Sequence, residues 1–117
     1  MQTINERTNH RYQVTLKDHA GQPVTLASLT ALTLTLYDVV TGGVINSREN
    51  QNIKNANGGT FGAGDGLLTM DFVAADTPIV NPALLFERHR ARFDAVWNGG
   101  EAHWEEDIVV HNLGKLP

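Results

Sequence analysis

The chain has 117 residues, 41% of them apolar and 19% charged, with a net charge of −4 and no cysteine. That length supports one hydrophobic core and not two, and the missing cysteines exclude disulfide staples and thiolate chemistry. The basic residues are dispersed, whereas gripping a nucleic-acid backbone calls for clustered Lys and Arg, and no apolar run reaches the length of a membrane helix, so neither nucleic acid nor membrane is expected as a partner.

Residues 1–9, MQTINERTN, carry one Ile among polar and charged side chains and cannot bury enough apolar surface to order themselves. They read as a flexible N-terminal arm, about 30 Å long when extended. Such an arm can dock as an added strand, because backbone groups do most of the bonding in that mode. Ile4 is its apolar anchor, and Glu6, Arg7 and Asn9 are its polar contacts, so these four are the candidate partner-binding residues. MQTINERTNH also lacks the apolar core of a secretory signal, which makes the cytoplasm the expected place of synthesis.

The β-sandwich domain is expected over residues 10–113. In Arg11–Lys17, Tyr12, Val14 and Leu16 alternate with polar residues, the period of a half-buried strand. Gly21 and Pro23 punctuate the turn that follows. Leu32, Leu34 and Leu36 mark the clearest core strand, and Thr41-Gly42-Gly43 then turns the chain into a short strand, Val44–Ser47, expected to pair back on it. Gly58, Gly59, Gly62, Gly64 and Gly66 lie before a strand and not between a strand and a helix, so they read as a long loop or hairpin tip and not as a phosphate loop. Leu68, Met70 and Phe72 alternate in the next strand. Asp76 is placed to cap a short helical turn, with Pro78 near its first position. Residues 114–117 form a short tail.

Phe86–Val110 is the most informative stretch. Asn98-Gly99 suits the two positive φ angles of a type I′ turn, which sets Trp97 opposite Gly100, Phe93 opposite Trp104, Asp94 opposite His103, Arg92 opposite Glu105 and Arg90 opposite Asp107. One face is then aromatic and the other charge-paired. Glu106 falls on the apolar face beside Ala91, which a β-bulge or a sheet edge would accommodate. Several short strands with no amphipathic helix predict an all-β, immunoglobulin-like antiparallel β-sandwich of about seven strands.

No pattern of catalysis emerges. Ser28 and Ser47 lie in no Gly-x-Ser-x-Gly context, and Glu105 and Glu106 point to opposite faces of a strand. His103 shares a face with Asp94, Glu105 and Asp107, but the five histidines, His10, His19, His89, His103 and His111, show no metal-binding spacing such as HExxH. No catalytic residue, cofactor or metal is therefore expected.

GQPVTL from Gly21 to Leu26 leading into ALTLTLYDVVTGGVI, then AADT from Ala74 to Thr77, then the closing FERHRARFDAVWNGGEAHWEEDIVVHNL together resemble the small immunoglobulin-like structural proteins of tailed bacteriophages, including the amino-terminal domain of baseplate upper proteins. The departure comes after Thr77, where the baseplate pattern continues to a Gly-x-Tyr lead-in and this chain has PIVNPALLFERH. The resemblance implies a non-enzymatic virion protein of the capsid decoration or cement type, homo-oligomeric on the particle and bound to the major capsid protein or another virion structural protein. A neck, tail or baseplate adaptor is the alternative. A carbohydrate-binding module is more remote, since Trp97 and Trp104 are both expected to face inward.

Overall fold

The computed structural model describes residues 2–115. Its strands are β1 (Gln2–Asn5), β2 (His10–Thr15), β3 (Leu29–Asp38), β4 (Gln51–Asn52), β5 (Gly59–Phe61), β6 (Leu67–Phe72), β7 (Phe86–Trp97) and β8 (Gly100–His111). They form two sheets, ordered β1-β8-β7-β3-β4 and β2-β6-β5. The smaller sheet is the B-E-D sheet of an immunoglobulin sandwich and β8-β7-β3-β4 is its G-F-C-C′ sheet, with β1 added in parallel outside β8. The fold is thus the expected immunoglobulin-like sandwich, with eight strands in place of about seven.

Alternation places the core. Leu32, Leu34 and Leu36 of β3, Leu68, Met70 and Phe72 of β6, and Ala91, Phe93 and Ala95 of β7 are all buried. Antibody domains join the strands equivalent to β2 and β7 by a disulfide. Here Tyr12 of β2 stacks on Phe93 of β7 with ring centroids 5.3 Å apart, and Phe93 stacks on Trp104 at 5.1 Å. Trp104 Nε1 donates to the Tyr12 hydroxyl at 3.0 Å, so the polar handles of both large rings are satisfied inside the sandwich.

The β7–β8 register is the expected one at every pair, from Trp97 opposite Gly100 to Arg90 opposite Asp107. The turn differs. Gly99 has φ +90° while Asn98 stays out of the left-handed region, the sign order of a type II turn and not of type I′. The Asn98 N–H is committed to the Ser28 carbonyl at 3.0 Å, a tertiary bond that the dipeptide does not announce. Gly99→Val should destabilise the fold by about 1 kcal/mol or more, because a β-branched residue resists positive φ. Equal denaturation midpoints for mutant and parent would refute this. The ion pairs on the outer face run partly along diagonals. Arg90 takes Asp107 at 2.7 Å and also Glu105 at 3.3 Å, while Arg92 turns to Asp94 at 3.3 Å. Glu106 sits opposite Ala91 with no bulge. It lies on the stretch of β8 that β1 does not cover, so an open edge accommodates it.

Several expectations need correction. Residues 2–5 are not an unpaired arm, because β1 pairs with Ile108–His111 of the same chain. Residues 44–47 are not a strand: Val44 makes a single bridge to Tyr37, and Asn46 and Ser47 both have φ +55°, which ends extended structure. The strand pairing on β3 is instead the two-residue β4, next to Ile53, which is fully buried. Residues 62–66 of the glycine-rich segment are the tip of a hairpin, as expected, while Gly59 opens its first strand, β5, on β6. There a Cβ on Gly59 would stand 2.0 Å from the Ile53 carbonyl oxygen, so only glycine fits. Asp76 closes a 3-10 turn, Ala74–Asp76, and its carboxylate reaches back to the Val73 N–H at 2.8 Å in place of capping forward. Of the expected tail, Gly114 and Lys115 belong to a second 3-10 turn, Leu113–Lys115, and residues 116 and 117 lie outside the described residues.

Candidate functional site

One end of the sandwich collects the end of β1, the β3–β4 loop, the β6–β7 connection and the residues after β8. Among the described residues the large hydrophobics left exposed are Val40, Val44, Val73, Val80, Leu84, Leu85, Phe86, Leu113 and Val96; all lie at this end except Val96 and Val44, which lines the outer face of the larger sheet beside Thr35 and Arg92. Val40 is the extreme case at 78% exposed. Val39, Val40, Leu84, Phe86 and Val109 line one shallow, open surface there, and Phe86 stacks on His111 at 4.5 Å. Scattered exposed apolar side chains are ordinary, whereas their concentration in one region marks an interaction surface. The molecule measures 50 × 22 × 21 Å.

The four candidate partner-binding residues separate. Ile4 opposes Val110 in the sheet and packs against the core, so it is a structural anchor. The Glu6 carboxylate accepts the Leu113 N–H at 3.0 Å. Arg7 has φ +52° and donates its N–H to the Thr77 carbonyl at 2.7 Å, leaving its side chain exposed. Asn9 is exposed beside His10 and Val73. Arg7 and Asn9 therefore edge the apolar end, while Ile4 is not available to a partner. Deleting residues 2–5 should lower the melting temperature by several degrees, since it strips the pairing from Ile108–His111 and opens the core beside Ile4; an unchanged melting temperature would contradict the pairing.

The loops at this end are braced from within. Arg48, 5% exposed, and Asp76, 1% exposed, form a bidentate pair with Nε–Oδ1 at 2.5 Å and Nη2–Oδ2 at 3.0 Å. Asp76 also accepts from Asn46 Nδ2 and the Val73 N–H, and Arg48 Nη1 donates to Gln51 and to the Asn57 carbonyl. Every charged atom of this pair thus has a partner. A second buried group comprises Asp38, Glu87 and His89, each with a potential ligand atom within 4.8 Å of those of the other two. Asp38 Oδ2 accepts the Thr41 N–H and hydroxyl, while Glu87 accepts the N–H groups of Val80 and Asn81 and contacts His89 Nε2.

The face around His103 is a solvated ion-pair network. His103 Nδ1 lies 2.6 Å from Asp94 Oδ1, and that hydrogen bond raises the imidazole pKa above 6.5. His10 stacks against Phe72, and burial lowers its pKa below 6.5, opposed in part by Glu106. The two therefore push stability in opposite senses. The His103 contribution is complete below pH 6.5 and fades as pH rises through its raised folded value; the His10 contribution is present above pH 6.5 and is lost as pH falls through its lowered one. Proton NMR titration should find the two midpoints on either side of 6.5, and a reversed order would refute the assignment.

Comparison with protein-family models, with curated proteins and with solved structures finds no match to this chain. Sequence reasoning missed the apolar end, because its members come from separate loops, and it missed the Asp38–Glu87–His89 group. A signal for the second was present: the alternation that turns Ala91, Phe93 and Ala95 inward also turns Glu87 and His89 inward, and charged residues at core positions call for an explanation.

Proposed function

We propose that this chain is a non-enzymatic structural protein of a tailed-phage virion, docking end-on to the capsid as a decoration or cement protein. The observation that supports it best is the concentration of exposed apolar side chains at one end of an elongated sandwich. An end-on domain needs only a small footprint, so many copies can stand on a repeating shell, each contacting the major capsid protein where subunits meet. Arg7 and Asn9 would supply a polar rim around the apolar contact, the usual anatomy of an interface. The sequence resemblance points to the virion; the exposed end points to protein–protein contact in place of turnover. Neck, tail or baseplate attachment would use the same end on a different partner.

The test is co-sedimentation of purified protein with capsids lacking it. Val40→Asp combined with Leu84→Asp should abolish co-sedimentation while leaving the melting temperature nearly unchanged, because both sites are exposed. Retained capsid binding by the double variant would remove the apolar end from the interface. Binding to purified tails or baseplates and not to capsids would move the protein to the adaptor role.

A further inference from the structure

β3 ends and β7 begins at the same end of the larger sheet. There Asp38 and His89 are register partners, and Glu87 precedes His89 by two residues on the same inward face. Asp38 and Glu87 are each 3% exposed and His89 is fully buried, on a strand face otherwise made of Ala91, Phe93 and Ala95. Among the described residues no Lys or Arg forms an ion pair with either carboxylate. The one ion-pair partner among the described residues is His89 on Glu87, which when protonated balances only one of the two carboxylates, and a buried charge must be paired or bind a metal.

Asp38 Oδ2 is used by Thr41, both Glu87 oxygens are used by the backbone of Val80 and Asn81, and His89 Nε2 is used by Glu87. Asp38 Oδ1 and His89 Nδ1 remain, enclosed and without a hydrogen-bond partner. Leaving such atoms unsatisfied is rare enough in folded proteins to require a cause.

We propose that Asp38, Glu87 and His89 bind one first-row divalent transition-metal ion, with Zn²⁺ the best fit. The free lone pairs of Asp38 Oδ1 and His89 Nδ1 are the first two ligands. Glu87 completes the set, directly or by holding the imidazole from Nε2 as carboxylates orient metal-bound histidines. A dication cancels the two carboxylate charges beside a neutral imidazole. The imidazole ligand disfavours Ca²⁺ and Mg²⁺, which take oxygen, and the absence of thiolate disfavours Cu(I). Ligand atoms on a tetrahedral zinc stand about 3.4 Å apart, and each of the three residues offers one ligand atom within 4.8 Å of those of the other two. Because Asp38 also holds the β3–β4 loop through Thr41, and Glu87 holds the β6–β7 connection through Val80 and Asn81, the ion would lock both loops to the sheet. This proposal does not depend on the virion reading.

The test uses the purified full chain, stripped with a chelator and titrated calorimetrically with Zn²⁺, and in parallel with Mg²⁺ and Ca²⁺. Saturable binding of one Zn²⁺ per chain is expected, with no heat from the other two ions and a melting temperature that rises with zinc concentration. Co²⁺ should give visible absorption of a low-coordinate site, and the His89 ring signals of the unmutated protein should shift on loading. Asp38→Asn and His89→Gln should each weaken binding at least tenfold, while His103→Ala leaves it unchanged. Lack of one-equivalent binding by the parent chain would overturn the proposal, as would loss of binding in His103→Ala. Unmoved His89 ring signals at zinc saturation would overturn it without reference to any variant.

Discussion

Replacing Asp76 with alanine is expected to cost about 3–5 kcal/mol, because it strands the buried Arg48 guanidinium with no counter-charge. Against a total stability of about 5–15 kcal/mol for a domain of this size, that loss should lower the melting temperature by about 15 °C or more. The Arg11–Asp71 pair provides the internal control. It has the same chemistry and a 2.7 Å separation, but its side chains are 65% and 45% exposed, compared with 6% and 0% for Arg48 and Asp76. Asp71→Ala should therefore cost far less, because solvent screens an exposed pair. Similar denaturation midpoints for the two variants would refute the claim that burial decides the difference. Replacing both Arg48 and Asp76 with apolar residues should cost less than removing Asp76 alone, since no orphaned charge remains in the core.

Phe93→Ala is expected to cost about 3–5 kcal/mol by a different route, opening a cavity where no polar group is involved. Phe93 is fully buried between Tyr12 and Trp104 and joins the two sheets. Its loss should also let water reach Trp104, so the folded variant should emit at longer wavelength than the parent. Phe93→Leu retains most of the volume and should cost less than half as much. A Phe93→Ala variant with parental midpoint and emission would mean that the inter-sheet stack contributes little.

The parts of this fold legible in the sequence were those where two independent signals coincide. In β7 and β8 the Asn98-Gly99 turn and the charge complementarity fixed one register, and a shift by one residue would have set Phe93 against Glu105. Leu32, Leu34 and Leu36, and likewise Leu68, Met70 and Phe72, show a period that only a half-buried strand explains. Short elements were not legible. β1 has four residues and β4 two, too few for a period, and both owe their geometry to the longer strand that each lies against. The turn type at Asn98 was overridden by a carbonyl far away in sequence. The candidate site was least legible of all: Asp38 and Glu87 come from different strands, so no local spacing relates them, and the exposed apolar residues become a surface only when several loops converge.

The pairing of β1 with β8 also dictates an order of events. Gln2 leaves the ribosome about 5–20 s before its partner Ile108, so β1 waits for the end of β8 before it can find its place. Until then the Ile108–His111 edge is open and Ile4 is uncovered. On a polysome, neighbouring nascent chains present the same vacant edge and the same unpaired segment, and the short link at residues 6–9 is the hinge through which strands could be exchanged between copies. Closure by the chain's own β1 covers that edge.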